Sequence, residues 1–219
     1  MAKITVYMVR HGQTYFNIYN KLQGWSNSPL TQKGQQNAQD TGAKLAQTPF
    51  VAAYCSDTTR AMETAAAILA ANQVSHLDQP VTSPFFREEF YGYFEGTDMD
   101  QAWYLAGAPH GMPTFADIVA KYSIGKAKDL LKAADPFHQA EDNQEYWARL
   151  NQGLDLIKHN PDLHDGDNVL LVSHGNTLLS LVERFGNGKY DVSQRPANGS
   201  ITKLEINDDE IEVSAFNVQ

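Results

Sequence analysis

The sequence is poor in cysteine and lacks a long apolar run. Cys55 is its single cysteine, so no disulfide can form within the chain, and we expect a reducing, cytoplasmic compartment. No apolar stretch approaches the roughly 20 residues of a membrane-spanning helix, so we expect no membrane partner. The apolar run at the N-terminus ends at Arg10 with no cleavage site after it, which argues against a signal peptide.

Positive charge is also scarce. The sequence has 17 Lys and Arg against 26 Asp and Glu, a formal net charge of −9. Nucleic-acid binding needs a positive surface, so this balance argues against a nucleic-acid partner. It does not argue against a small anionic ligand, because a few local cations decide how such a ligand is bound.

Apolar segments alternate with segments of helical spacing over most of the chain. This alternation predicts an α/β fold: a three-layer α/β/α sandwich with a mostly parallel, doubly wound sheet and an antiparallel edge. We predict one domain over residues 1–219, with helices over about 60–71 and 145–157 and a lid insertion at about 97–140, where the pattern is irregular. The predicted strands lie at 4–9, 50–55, 81–86 and 169–172, and a hairpin of 201–206 and 211–216 turns at Asn207-Asp208-Asp209.

Histidines and arginines stand directly after the predicted strands. Arg10 and His11 follow the first strand, and His174 follows the strand over 169–172. Arg60 and Glu88 come soon after the second and third strands. Because open α/β sheets bind ligands outside the carboxyl ends of their strands, we expect these side chains to converge. Arginine binds phosphate oxygens in a bidentate way and histidine can act as a nucleophile, so the set predicts a phosphate site.

Five ordered blocks of residues carry a resemblance to a known family. The blocks are Val9-Arg10-His11-Gly12-Gln13-Thr14 with Asn17 and Gln23-Gly24; Pro29-Leu30-Thr31 with Gly34; Ser56-Asp57 with Arg60-Ala61 and Thr64-Ala65; Arg87-Glu88 with Gly92 and Glu95-Gly96; and Val172-Ser173-His174-Gly175. Together they resemble the signature of the histidine phosphatase superfamily, the phosphoglycerate-mutase-like proteins. A lone Arg-His-Gly is weak evidence, whereas five ordered blocks are specific.

The resemblance implies catalysis through a phosphorylated histidine. His11 would attack phosphorus, and Glu88 would protonate the leaving oxygen and later activate water. His11 would have to be neutral, which nearby guanidinium groups favour, and Glu88 would have to keep a proton, which burial and the phosphate charge favour. No metal or other cofactor is implied, because arginine and histidine supply the positive charge. The implied phosphate ligands and pocket residues are Arg10, Asn17, Gln23, Gly24, Arg60, His174 and Gly175.

The residues that follow Glu88 favour a phosphatase over a mutase. In the mutases this acid is followed by Arg-His-Tyr-Gly, whereas here it is followed by Glu89-Phe90-Tyr91-Gly92. No Lys or Arg lies between Arg87 and Lys121, although a mutase must also bind the carboxylate of phosphoglycerate. We therefore expect a small phosphate ester or inorganic phosphate as the ligand. A cofactor-dependent phosphoglycerate mutase and a non-hydrolytic phospho-ligand-binding protein are the alternatives, and a homo-oligomer stays open.

Two assignments have an alternative. The distance to the following glycine favours Glu88 over Glu89 as the acid. Arg60 has a second interpretation, as a helix-start residue in a salt bridge to Glu63 or Asp57.

Overall fold

A six-stranded mixed sheet forms the centre of the fold. The computed structural model describes residues 3–207 and 210–219. The strands are β1 (Ile4–Arg10), β2 (Phe50–Ser56), β3 (Val81–Ser83), β4 (Asn168–Ser173), β5 (Ile201–Ile206) and β6 (Ile211–Val218). Their order is β3-β2-β4-β1-β5-β6; β1 to β4 run parallel, whereas β5 is antiparallel to β1 and β6 is antiparallel to β5.

Helices cover both faces of this sheet. They are α1 (Tyr15–Ile18), α2 (Gln32–Lys44), α3 (Thr59–Ala71), α4 (Met99–Gly107), α5 (Phe115–Lys121), α6 (Ile124–Ala134), α7 (Asn143–Lys158) and α8 (Gly175–Phe185). Successive residues of β4 point to opposite faces. Leu170 belongs to the apolar cluster that contains Ala65 of α3, and Leu171 belongs to the cluster that contains Leu150 of α7 and Leu178 of α8. The predicted three-layer sandwich with an antiparallel edge is confirmed.

The starts of α2 and α3 differ in how they are capped. Thr31 caps α2, because its hydroxyl accepts a hydrogen bond from the backbone N–H of Gly34 at 3.0 Å. Thr58 occupies the cap position of α3, but its side chain makes no capping bond. Asp57, the residue before Thr58, forms an ion pair with Arg87 at 2.6 Å.

The third strand is shorter than predicted, whereas the terminal hairpin is present. The third strand ends at Ser83 because Pro84 begins a 3₁₀ turn, whose N-terminus is capped by the Ser83 hydroxyl. Both strands of the predicted terminal hairpin are confirmed. Asp208 and Asp209 of its predicted turn lie outside the described residues.

The helices α4 to α6 form a helical segment, residues 99–134, with an apolar core of its own. Trp103, Ile118 and Leu131 are buried in this core together with Leu22 from the loop after β1. The segment lies within the predicted insertion, and α6 contacts α7 and α8. The single-domain organisation and the action of this segment as a lid stay predictions. Within 3–207 and 210–219, none of the helices combines the length and the apolar character needed to cross a bilayer.

Candidate active site

The pairing of β1 with β4 brings two histidines together. The strands are parallel, with Arg10 opposite Ser173, so the residues that follow them leave the sheet side by side. The backbone N–H of His11 donates to Ser173 O at 3.0 Å. The rings of His11 and His174 have centroids 5.2 Å apart, and both side chains are buried.

His11 is held as a neutral imidazole with one free nitrogen. Its Nδ1 lies 2.8 Å from Gly12 O, so this nitrogen carries the proton and donates, which leaves the lone pair on Nε2. Burial lowers the pKa of His11 well below the ordinary 6.5, and the positive charges of Arg60 and Arg10 lower it further. A neutral, oriented imidazole is the form that can attack an electrophile.

His174 presents the opposite nitrogen as a donor. The Arg60 Nη2 lies 3.1 Å from His174 Nδ1 and donates to it, so the ring proton belongs on Nε2. Burial, followed by the charge of Arg60, lowers the pKa of His174 well below 6.5. The neutral ring therefore offers one N–H, at Nε2, to an anion.

Two arginines supply the positive charge of the site. Burial is the largest cause lowering the pKa of both Arg10 and Arg60 to about 10, so both stay protonated at neutral pH. Arg10 Nη1 donates to Pro196 O. Arg60 Nη1 donates to Ser26 O at 2.9 Å and Nη2 donates to Gly24 O at 2.7 Å. Arg60 thus turns to the loop after β1 and does not make the helix-start salt bridge that the sequence left open.

Several buried donors in this site have no hydrogen-bond partner among the described residues. They include Arg10 Nε, Gln23 Nε2, Arg60 Nε and His174 Nε2. A buried donor without a partner costs about 1–3 kcal/mol, and more when the group is charged. An oxyanion with several acceptor oxygens would satisfy such a set, and a phosphoryl group is the best match to guanidinium donors.

The two neighbouring glutamates face different surroundings. Glu88 lines the same pocket as His11, and its carboxylate accepts from Asn176 N at 2.7 Å and from the Thr177 hydroxyl at 2.9 Å. Glu89 is buried beside Lys128 and Asn176 and does not line that pocket. Burial is the largest cause raising its pKa, to about 8. The structure therefore puts Glu88, and not Glu89, in the pocket of His11.

Asn17 and Gln23 are oriented by shared contacts with Thr14. The Asn17 amide oxygen accepts from Thr14 N at 3.1 Å and from Asn198 Nδ2 at 3.2 Å. The Gln23 amide oxygen accepts from the Thr14 hydroxyl at 2.7 Å. Both side chains line the pocket with their amide nitrogens left to donate.

The two glycines predicted to lie in the site are close to other groups. A Cβ on Gly24 would lie 2.1 Å from Glu89 O, and one on Gly175 would lie 3.1 Å from Arg10 Nε. Gly24 therefore lets the loop after β1 pass directly over the backbone of Glu89. Gly175 lets Arg10 approach the start of α8.

Glu95 organises the loop that contacts Arg60. Its carboxylate accepts from the backbone N–H groups of Gly24, Trp25 and Ser26 at 2.8–3.1 Å, and also from the Ser26 hydroxyl. These contacts give Glu95 a structural role, since it holds the loop carbonyls to which Arg60 donates.

We expect Glu95→Ala to lower the free energy of unfolding by about 2 kcal/mol, because it leaves several loop donors without an acceptor. Urea denaturation measures this loss. The matched control is Glu63→Ala on the exposed side of α3, which should change stability by less than about 0.5 kcal/mol. Equal losses in the two variants would contradict the structural role of Glu95.

Four pocket residues were missed by sequence reasoning. Lys21, Tyr91, Asn176 and Arg195 line the pocket with His11 and Glu88. Tyr91 and Asn176 stand next to the recognised blocks, so proximity to those blocks could have indicated them. Lys21 and Arg195 come from loops without a recognised pattern. His110 and His138, the two histidines within the predicted insertion, are exposed and do not line this pocket.

The pocket is nearly closed. Its free volume is about 20 Å³, which is room for about one water molecule. Binding a phosphoryl group therefore requires lining side chains to move apart. Among the described residues, the structure shows no cluster of three His, Cys, Asp or Glu side chains arranged to hold a metal ion.

The buried neutral histidines make stability depend on pH. The pKa values of His11 and His174 lie well below 6.5 in the folded chain and return to about 6.5 on unfolding. As pH falls through 6.5, the unfolded chain therefore binds protons that the folded chain does not. The free energy of unfolding should fall by up to about 1.4 kcal/mol per pH unit for each histidine. Urea titrations of the double variant His11→Gln/His174→Gln should show a shallower fall between about pH 7 and pH 5.

Glu89 has the opposite effect on how the free energy of unfolding depends on pH. Its pKa is raised from 4.5 to about 8, so between these two pH values the folded chain binds a proton that the unfolded chain does not. It is present in both proteins, so it cancels from the comparison. Identical slopes for the two proteins would show that the histidines are not buried in the neutral form.

Comparison with known proteins identifies a matching family, and the similar proteins include mutases and a phosphatase. The sequence model of the histidine phosphatase superfamily (branch 1) matches residues 6–219. A 2,3-bisphosphoglycerate-dependent phosphoglycerate mutase from Bartonella henselae is 36% identical, over 94% of this chain and 93% of the relative. Fructose-2,6-bisphosphatase TIGAR from Xenopus laevis is 35% identical, over 84% of this chain and 76% of the relative.

A solved structure has the same fold. The crystal structure of phosphoglycerate mutase from Bacillus anthracis str. Sterne superposes with a TM-score of 0.89 at 33% identity, covering 99% of this chain and 94% of that chain. The relatives thus include mutases and a phosphatase. They support the family resemblance without selecting one of its two activities.

Proposed function

The chain belongs to the histidine phosphatase superfamily, and from that premise we propose that it hydrolyses phosphomonoesters through a phosphohistidine at His11. The observation that carries the proposal is the group of unpartnered buried donors beside a neutral histidine. Once the lining side chains have moved apart to admit the phosphoryl group, donors fixed around it stabilise the transition state of phosphoryl transfer.

In the proposed reaction, His11 Nε2 forms a bond to phosphorus while the ester P–O bond breaks in line. Arg10, Arg60 and His174 stabilise the charge on the equatorial oxygens. Glu88 gives its proton to the leaving oxygen, so that a neutral alcohol departs. A water molecule then attacks phosphorus and gives its proton to Glu88, the P–N bond breaks, and His11 is restored with release of inorganic phosphate.

Hydrolysis is favoured over mutase activity by the residues that follow Glu88. Glu89 and Phe90 stand where the mutases have Arg and His. Glu89 is directed to the buried Lys128, and Phe90 packs on Trp25 with ring centroids 4.7 Å apart. Neither residue offers a cation to the carboxylate of a phosphoglycerate.

A phosphoglycerate mutase is the second candidate. Lys21 and Arg195 favour it, because they bring two cations to the pocket from outside the stretch between Arg87 and Lys121. The mutase relatives also favour it.

One assay separates the candidates. The protein is given 3-phosphoglycerate with its bisphosphate activator, and separately a panel of phosphorylated metabolites, and both phosphate release and isomerisation are followed. The proposal predicts phosphate release faster than isomerisation, and the reverse would favour the mutase. No release from any ester and no phosphohistidine would instead favour a binding or regulatory protein.

We further infer a reducing, cytoplasmic location. Its support is the state of Cys55, which is buried without a disulfide, and burial raises the pKa of its thiol to about 12. Such a thiol is a packing residue rather than a reactive one.

A further inference from the structure

Two cations line the pocket of His11 in addition to the groups that would hold one phosphoryl group. Arg10, Arg60 and His174 already offer unpartnered donors to that group. Lys21 and Arg195 also line the pocket and are only half-buried. Neither side chain has a hydrogen bond or ion pair with any residue in the described part of the chain, so both are available to a ligand.

Arg195 also lines a second cavity. This cavity has a volume of about 280 Å³ and lies between the helical segment and the loop that carries Arg195. It shares Arg195, and no other lining residue, with the pocket of His11. Arg195 therefore borders both spaces.

The second cavity is largely apolar at its walls. Met99, Trp103 and Phe115 line it, and the rings of Trp103 and Phe115 pack with centroids 4.8 Å apart. In ligand pockets of this kind, the apolar walls bind the apolar part of the ligand. The few charged groups bind its polar part and so fix its orientation. Asp100 also lines this cavity with an exposed side chain, and its carboxylate would repel a second anion placed in the cavity.

We propose that the substrate is a phosphomonoester whose leaving group carries a second anionic group close to the phosphate, bound by Arg195 and Lys21, and an apolar or aromatic portion that fills the second cavity. This inference rests on the proposed function for the orientation of the phosphate at His11. The charge of Asp100 and the position of the free cations both put the second anion beside Arg195.

Four esters that differ one group at a time test the two parts separately. They are the phosphate esters of 3-phenyllactate, lactate, 1-phenylpropan-2-ol and propan-2-ol, which carry both the carboxylate and the phenyl group, the carboxylate alone, the phenyl group alone, or neither. The unmodified protein should show about tenfold or higher kcat/KM for each added group. Calorimetric dissociation constants on the His11→Ala protein, which should not turn the esters over, should show the same preferences.

Three variants assign these preferences to residues. Arg195→Gln and Lys21→Gln should each reduce the advantage given by the carboxylate by about tenfold. Phe115→Ala should reduce the advantage given by the phenyl group and leave that of the carboxylate. The matched control is Lys44→Gln, which removes one exposed cation at the end of α2 and should change neither ratio.

The outcomes distinguish this inference from the proposed function. Turnover of all four esters at similar kcat/KM, or a loss in Arg195→Gln that is equal for esters with and without the carboxylate, would overturn the second-anion site and leave hydrolysis standing. The equal loss would mean that Arg195 binds the reacting phosphate. Binding preferences as described, with no turnover of these esters or of p-nitrophenyl phosphate, would support the site and overturn the proposed function.

Discussion

His11→Ala is expected to lower kcat for phosphate release by at least about 10⁴-fold, because it removes the proposed nucleophile and with it the proposed covalent intermediate. The fold should survive, since the side-chain hydrogen bond that is lost, from Nδ1 to Gly12 O, lies within one turn of chain. Steady-state phosphate release and the midpoint of thermal unfolding measure the two effects.

The matched control for this variant is His159→Ala, which removes an exposed histidine at the end of α7. It should keep full activity, because the only side-chain hydrogen bond of His159 among the described residues is to the carbonyl of Asp155 in α7. Residual activity above about 1% in His11→Ala, with the control active, would mean that a different group or a water molecule attacks phosphorus.

Glu88→Gln is expected to slow esters with poor leaving groups by about 10²- to 10⁴-fold and p-nitrophenyl phosphate much less. An alkoxide needs a proton as it leaves, whereas p-nitrophenolate does not. With the activated ester the variant should instead accumulate phosphoenzyme, because the base for the hydrolytic step is also missing. Rates on alkyl phosphates and on p-nitrophenyl phosphate measure the difference.

Glu89→Gln is the control, since it makes the same chemical change one residue away. Glu89 contacts Lys128 and Asn176 but not the pocket, so its loss should affect both classes of ester alike. If Glu89→Gln shows the dependence on leaving group and Glu88→Gln does not, the acid has been assigned to the wrong glutamate.

The strands and the histidines at their ends could be predicted because each depends on local pattern. β1 and β4 are short apolar runs, and each is followed at once by a histidine. The parallel class of the sheet then requires these ends to share one edge. The shortened third strand could not be derived in the same way, because Pro84 permits either an edge strand or a turn.

The two additional cations of the pocket could not be predicted, because their positions depend on how loops pack. Lys21 and Arg195 are 174 positions apart in the printed sequence, and neither stands in a recognised block. Similarly, the different surroundings of Glu88 and Glu89 follow from the start of α8, whose Asn176 contacts both carboxylates. Sequence spacing favours one glutamate but does not say which way each side chain turns.

The most direct test of the central claim is to trap the covalent intermediate. Glu88→Gln protein is mixed with ³²P-labelled p-nitrophenyl phosphate, quenched in alkali, digested and analysed by mass spectrometry. The account predicts an acid-labile, alkali-stable phosphate on His11, which is absent when His11→Ala is added to the same variant. Phosphate release without any labelled histidine, or a label on another residue, would contradict it.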